Sequence, residues 1–377
     1  MIERTARRAC IGALALTLAA CATKAPEPPP QTVVAAPTPV RAPSAPDAHL
    51  PPPVEAKPLD VARAEFVRDT AAKYGIDPGY IEGVLAGAQM RDSIIAAMSR
   101  PAEAKPWRDY RPLLVTPARI DAGRAFLATH REALARVEAQ TGVPGEVIVA
   151  ILGIETSYGG NTGKYRVLDA LYTLAFAYPR SGDPAKAERE ARREAFFRKE
   201  LGELFALGKE TGFDITTLTG SYAGAMGWGQ FMPSSYREFA VDGNGDGRRD
   251  LFNSLDDVFA SVANYFVRKG GWVRGGVVAV PAVLNPDAVE LAAPGLEPVY
   301  PLAELAARGY RPAHDVPADA LATVLKLDGA NGPEYWLGFQ NFYAITRYNI
   351  SAHYAMAVYQ LAEAVAGRAD TPTAAAP

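Results

Sequence analysis

Eight consecutive apolar or small residues, 147–154, run straight into a single carboxylate, Glu155. Gly142-Val143-Pro144 opens the stretch, so it reads as a helix through Glu155. A helix that is apolar on every side has to be buried nearly all round. The chain must therefore surround it with other elements, and 377 residues at 49% hydrophobic content suffice for such a core. Glu155 then stands where core gives way to a cleft. Desolvation there disfavours the charged form, which is what a general acid requires near neutral pH. A structural carboxylate, paired to an arginine or capping a nearby helix, is the competing reading of the same segment.

Further helix signals flank this one. Asp77-Pro78 reads as N-cap and first helical residue, with Ile81, Val84, Leu85 and Ala88 at helical spacing. Thr116-Pro117 repeats the signal for a helix running toward Gln140. Residues 167–177 and 256–267 are helical in pattern. Residues 188–209 form a long charged helix whose apolar side is Phe196, Phe197, Leu201, Leu204 and Phe205. The pattern then changes: 277–284, 322–327 and 334–343 carry β-favouring residues between Pro and Gly turns. Helix returns over 351–366. The class is mainly α with a small β part, and no internal repeat is present.

The N-terminus reads as an address. Arg4, Arg7 and Arg8 precede a short apolar run, 11–20, ending Leu18-Ala19-Ala20-Cys21. This is the form of a bacterial lipoprotein signal, with Cys21 as the lipidated residue; an ordinary secretory signal with an incidental cysteine is the alternative. Ala22, in place of Asp, points by likeness to such lipoproteins to the outer membrane. Residues 25–58 hold 12 prolines in 34 positions and no aromatic side chain. Such a segment reads as an extended tether, reaching on the order of 100 Å. Cleavage would remove three arginines and one glutamate from a chain of net charge −3, leaving −5. Cys10 would leave with the signal, so no internal disulfide is expected. Lys plus Arg number 39 against 42 Asp plus Glu, which leaves no basic excess for general nucleic-acid binding. Two Cys and four His make a zinc site a poor fit.

Three more segments carry chemistry. In 220–236, Gly220, Gly224, Gly227 and Gly229 let backbone approach a ligand, Ser221 and Gln230 offer hydrogen bonds, and Met226, Trp228 and Phe231 offer apolar walls. A Gly-rich turn with core aromatics is the other reading. Asp242-Gly243-Asn244-Gly245-Asp246-Gly247-Arg248 places oxygens at positions 1, 3 and 5, Gly at 6 and a carbonyl at 7, as at the start of an EF-hand loop. Position 12 is Asn253, where a bidentate Glu is wanted, so Asp256 or Asp257 would have to close the site. Hard oxygen ligands favour Ca²⁺; a plain Asp/Gly turn is the alternative. Finally, 341–349 followed by His353-Tyr354 is dense in aromatic and amide groups. It suits carbohydrate stacking or a core strand entering a buried helix, with His353 structural.

Together these segments resemble the lytic murein transglycosylase B family, the membrane-bound lytic transglycosylase B group, over about residues 59–366. The resemblance rests on Gly-Ile-Glu-Thr at Glu155, the run from Gly220 to Tyr236, Val-Asp-Gly-Asn-Gly-Asp-Gly at 241–247, Ala-Asn-Tyr-Phe at 263–266 and Thr-Arg-Tyr-Asn at 346–349. It implies a lysozyme-like core with an added α domain and a β-rich insertion. The expected division is 1–20 signal, 21–58 tether, 59–140 α domain, 141–275 catalytic core with the EF-hand-like loop, 276–335 β-rich insertion, 336–366 return to the core and 367–377 disordered tail. It implies Glu155 as the single catalytic acid/base, and Tyr110, Ser221, Met226, Gln230, Phe231, Tyr265, Tyr348, Asn349 and Tyr354 as glycan-contacting residues. It implies a structural calcium on Asp242, Asn244, Asp246, the Arg248 carbonyl and Asp257, preferred over Asp256, with no cofactor for catalysis. Where the family has a Tyr-Pro-Arg-Arg turn, this chain has Tyr178-Pro179-Arg180, an apparent insertion over 181–191, then Arg192-Arg193. Either Arg180 or the later pair inherits the substrate contact.

The implied reaction cleaves the β-1,4 bond between N-acetylmuramic acid and N-acetylglucosamine and leaves a 1,6-anhydro end. A hydrolase would normally need a second carboxylate, and no such motif lies near Glu155 or Gln230. The implied partners are peptidoglycan strands and, through the lipid, the outer membrane; the chain is expected to be a monomer on the periplasmic face. A hydrolytic muramidase and a non-catalytic peptidoglycan-binding lipoprotein are the alternatives. A calcium sensor is excluded by a single atypical loop without a paired hand.

Overall fold

Local chemistry at the helix starts sets the frame of the computed structural model, which describes residues 50–99, 105–291 and 295–368. The expected signal peptide, Cys21 and most of the tether and tail lie outside these residues. Asp77 accepts the Tyr80 N–H at 2.8 Å, and Thr116 Oγ1 accepts the Arg119 N–H at 3.1 Å; both are N-caps followed by Pro. The helices before the first strand are α1 Leu59–Tyr74, α2 Pro78–Ala86, α3 Asp92–Ser99, α4 Trp107–Leu114, α5 Pro117–Thr129, α6 Arg131–Thr141 and α7 Gly145–Thr156. A short ribbon, β1 Tyr165–Arg166 with β2 Thr219–Gly220, brackets α8 Val167–Phe176 and α9 Pro184–Thr211. Then come α10 Pro233–Phe239 and α11 Leu255–Arg268. The β part holds β3 Ala279–Leu284, β4 Tyr300–Pro301, α12 Leu302–Ala307, β5 Tyr310–Pro312, β6 Leu321–Gly329 and β7 Gly332–Gly338, before α13 Gln340–Thr346 and α14 Ala352–Val365.

The apolar run behaves as its composition demands. From Val147 to Gly153 every residue of α7 is buried, and α5, α6, α11 and α14 pack around it. Strands β3 to β7 form one antiparallel sheet in the order β4-β6-β7-β3-β5. Its two faces serve two cores, as the period of two requires. Leu325, Leu327 and Trp336 join the main core, while Val280, Val324 and Leu337 join a small one with Leu305 and Tyr310. The chain is mainly α with a small β part, as expected.

Several boundaries differ from the sequence expectation. The helix expected from Thr116 toward Gln140 is two helices, broken at His130, whose ψ of 18° departs from helix. The long charged helix begins at Pro184 rather than 188, capped by Asp183, so most of the apparent insertion is extra helix. The strand expected over 334–343 ends at Gly338, and Asn341 to Tyr343 lie on α13. The end of the tether is docked: Leu50 is buried and Lys57 Nζ lies 2.7 Å from Glu65. The tail is ordered through Arg368, which bridges Glu363 at 2.8 Å and Glu146 at 2.5 Å.

Candidate active site

Glu155 occupies the last turn of α7, beyond which the chain makes a costly turn. Ser157 (φ +50°) and Tyr158 (φ +58°) are successive non-glycine residues in the left-handed region, each worth roughly 1–2 kcal/mol of strain. The surroundings hold them there. Tyr158 N–H reaches Leu152 O at 3.0 Å, and its hydroxyl donates to Arg119 O at 2.8 Å. Thr156 Oγ1 accepts the Gly159 N–H and lies 3.1 Å from Trp228 O. Gly159 (φ +84°) must be glycine, because a Cβ there would come within 2.3 Å of the Trp228 ring.

That ring belongs to the second segment. Met226 and Phe231 exchange both backbone hydrogen bonds, 3.0 and 2.9 Å, closing a tight loop over Gly227-Trp228-Gly229-Gln230. Gln230 sits at its end with φ +52°. Its Nε2 donates to Thr162 O and Gly227 O, both at 3.0 Å. Ser221 Oγ accepts from Ala223 N at 3.3 Å and Ala225 N at 3.1 Å, which leaves its proton to donate. Met226 and Phe231 are 0% and 2% exposed. This corrects the expectation that they form open walls: they are core, holding the loop from beneath. Phe231 meets the rings of Tyr265 and Tyr348 edge-on.

The third group comes from α11, the turn after α13, and α14. The Tyr348 hydroxyl donates to Gly229 O at 2.7 Å and the Tyr265 hydroxyl to Arg347 O at 2.7 Å. Tyr354, on the first turn of α14, donates its hydroxyl to Glu155 Oε1 at 2.5 Å. Burial pushes the Glu155 carboxyl up to about 7, against the smaller downward effect of the Tyr354 bond. The residue keeps partial exposure, so the carboxyl is desolvated yet reachable. Burial, with the Glu155 charge beside them, holds the Tyr348 and Tyr354 hydroxyls well above their ordinary value. Neither a second carboxylate nor a cation among the described residues perturbs Glu155. Asn349 is buried with its Oδ1 unpartnered among the described residues. Tyr110 stacks on Trp107, and both pack on His353, at 5.4 and 5.7 Å, so His353 is a packing residue here.

The three candidate arginines are committed locally. Arg180 pairs with Glu194. Arg192 bridges Glu188 one turn back at 2.8 Å. Arg193 donates to the Tyr178 hydroxyl at 2.6 Å and lies over that ring. Sequence reading missed the roles of Thr156 and Tyr158 in holding the turn after Glu155; the adjacent Gly159-Gly160 was the only local signal.

In the acidic loop the side-chain oxygens turn inward. Asp242 accepts the Gly245 and Gly247 N–H groups at 2.6 and 2.8 Å, Asn244 that of Asp246 at 2.9 Å, and Asp246 that of Arg248 at 2.8 Å. Asp257 is fully buried and takes Gly243 N and Asp250 N on its two oxygens, at 2.8 and 2.7 Å. Asp256 instead turns out to Arg136 at 3.0 Å. Among the described residues no three Asp, Glu, His or Cys side chains converge as a metal cage. The expected donor set, three carboxylates, an amide oxygen and the Arg248 carbonyl, is oxygen throughout, which is the chemistry a hard cation takes.

Comparison with known proteins shows the family of the chain. The family described as "Transglycosylase SLT domain" matches residues 60–363. The membrane-bound lytic murein transglycosylase B of Escherichia coli K12 is 41% identical over 312 residues, 80% of this chain and 82% of that protein. The solved soluble lytic transglycosylase SltB1 of Pseudomonas aeruginosa is 46% identical, with a TM-score of 0.71 over 81% of this chain and 98% of its own. The E. coli lytic transglycosylase Slt35, solved in complex with calcium, is 40% identical, with a TM-score of 0.70 over 81% of this chain and 93% of its own. The chain belongs to the SLT-domain transglycosylase family.

Proposed function

We propose that this chain is a lytic transglycosylase of murein, cutting the bond between N-acetylmuramic acid and N-acetylglucosamine with Glu155 as its only acid/base. The observation that carries the reading is a desolvated Glu155 carboxyl whose one polar partner among the described residues is the Tyr354 hydroxyl at 2.5 Å. Protonated Glu155 gives its proton to the glycosidic oxygen as the C1–O bond breaks. The C6 hydroxyl of the same muramic residue then attacks C1 and returns a proton to Glu155. No water is consumed, and the new end is a 1,6-anhydro sugar. An intramolecular attack gains from held geometry. Ser221, Gln230, Tyr110, Tyr265, Tyr348 and Asn349 hold the sugar, and Met226 and Phe231 support them from the core. No second carboxylate among the described residues perturbs Glu155, which favours this route over hydrolysis.

Asp242, Asn244, Asp246, the Arg248 carbonyl and Asp257 would hold a calcium ion, which would supply rigidity and no step of the reaction. Cys21 would carry lipid and fix the enzyme to the outer membrane, facing the periplasm, and the chain acts as a monomer. The test is mass spectrometry of fragments released from purified peptidoglycan by the wild type and by Glu155→Gln. Anhydro ends from the wild type alone are expected. Reducing ends would make it a hydrolase, and no release with retained binding would make it a binding protein.

A further inference from the structure

The chemistry above leaves one cationic hollow unused. It measures about 540 Å³ and is lined by Arg91, Lys164, Arg166, Asp169, Thr217 and Thr219 among others. One wall is the β1–β2 ribbon, where Tyr165 pairs with Gly220 and Arg166 with Thr219. The same ribbon leads directly into the candidate cleft. Ser221 follows Gly220, and Thr162, two residues before Lys164, accepts the Gln230 amide. Gly163 permits this closeness: its φ is +96°, and a Cβ there would come within 2.1 Å of the Gly220 carbonyl. A ligand lying on Ser221 and Gln230 therefore has the hollow beside it.

The charge of the hollow runs against that of the chain. The protein has a net charge of −3, yet three cations here face one carboxylate. That carboxylate, Asp169, is 2% exposed and already consumed by Gln89 N at 2.9 Å, Arg91 Nε at 3.2 Å and Arg166 Nη2 at 2.5 Å. Arg166 keeps a buried Nε with no partner among the described residues. Lys164 is exposed and makes no ion pair or hydrogen bond among them. A second hollow of about 320 Å³ shares Arg166 and Thr216 and continues toward Gly83, Val84, Gly87 and the half-exposed Tyr80. The two hollows adjoin at these shared residues, a trough whose one side is cationic and whose other is lined mainly by small and apolar residues.

We propose that this trough binds the peptide stem of peptidoglycan, with Lys164 and Arg91 meeting its carboxylates and the Gly83–Gly87 end taking its small apolar side chains. The inference rests on the murein reading. In a stem-bearing strand the sugars are uncharged, because the lactyl carboxyl is tied up as an amide. The stem alone carries the charge that the hollow matches.

The test compares two substrates: strands with natural stems, and strands whose stem carboxylates have been converted to amides. Lys164→Glu should lower kcat/KM on natural strands by roughly five-fold or more, through KM, and leave the amidated strands unchanged. Lys164→Arg should restore the natural value. An equal loss on both substrates, or no loss on either, overturns the proposal. Wild-type turnover in the same assay tests the murein reading separately. Should the wild type turn over neither substrate, calorimetric binding of a free stem tetrapeptide decides. Affinity that falls in Lys164→Glu and returns in Lys164→Arg upholds the trough; equal affinity in wild type and Lys164→Glu overturns it.

Discussion

Glu155 and Tyr354 form a pair whose electrostatics set the pH behaviour. Burial raises the Glu155 carboxyl from 4.5 to about 7. A general acid must start protonated, so kcat/KM should fall as pH rises through about 7. The Tyr354 bond lowers this value, so Tyr354→Phe should move the alkaline limb of a pH 5–9 profile upward; a downward or absent shift would contradict the assignment. Stability follows the same shift with a defined sign. The folded state prefers the protonated carboxyl, so its cost is absent below about 4.5 and complete above about 7. Glu155→Gln should therefore raise the unfolding free energy by about 1–3 kcal/mol at pH 8 and by little at pH 4. Glu200, buried and also pushed up to about 7, carries the same sign but is present in both proteins. Denaturant unfolding at the two pH values isolates Glu155. In turnover the same variant should lose roughly 10²- to 10⁴-fold.

At the scale of elements, the loop over 242–250 and α11 are joined through Asp257. Its two oxygens satisfy the Gly243 and Asp250 amides from a fully buried position. Asp257→Ala strips both partners, and a buried unsatisfied amide costs about 1–3 kcal/mol. Loss of at least 2 kcal/mol in denaturant unfolding is expected with or without calcium. Asp256→Ala removes only an exposed pair with Arg136 and should change stability by less than about 1 kcal/mol. Added Ca²⁺ should raise the Tm of the wild type and not that of Asp242→Ala; no shift in the wild type would leave the loop without a metal. These elements differ in how far sequence betrays them. Asp77, Thr116 and Ser351 announce helix starts because a cap is made within three residues. Glu155 was legible because an unbroken apolar helix ends in a carboxyl. The break at His130, the two-residue ribbon at 165–166 and 219–220, and the helical placement of Asn341 depend on partners distant in sequence. So does the Glu155–Tyr354 bond, which spans 199 residues. Met226 and Phe231 read as open walls because sequence does not say which side of a Gly-rich turn faces the core.

For the whole molecule, the residues proposed to hold the sugar run from Tyr110 to Asn349, with Tyr354 bonded to Glu155. None of them lies in the segment before residue 50. That segment, with Leu18-Ala19-Ala20-Cys21 and its prolines, is proposed to act on location alone. Among the described residues no single helix is long and apolar enough to cross a membrane. Membrane attachment would then rest on the acyl chains of Cys21, each contributing about 0.8 kcal/mol per buried CH₂. Cys21→Ser should abolish acylation and move the protein from the membrane to the soluble fraction. Its kcat and KM on solubilised glycan strands should stay within about twofold of the wild type, because the site and its packing are untouched. Activity on intact, cross-linked sacculi inside cells should fall, because a freed enzyme loses the high local concentration that a tether on the order of 100 Å maintains near the wall. Membrane fractionation beside the two assays separates the cases. Retention of Cys21→Ser in the membrane fraction would assign anchoring to another part of the chain, and an equal loss on solubilised strands would tie the segment to catalysis itself.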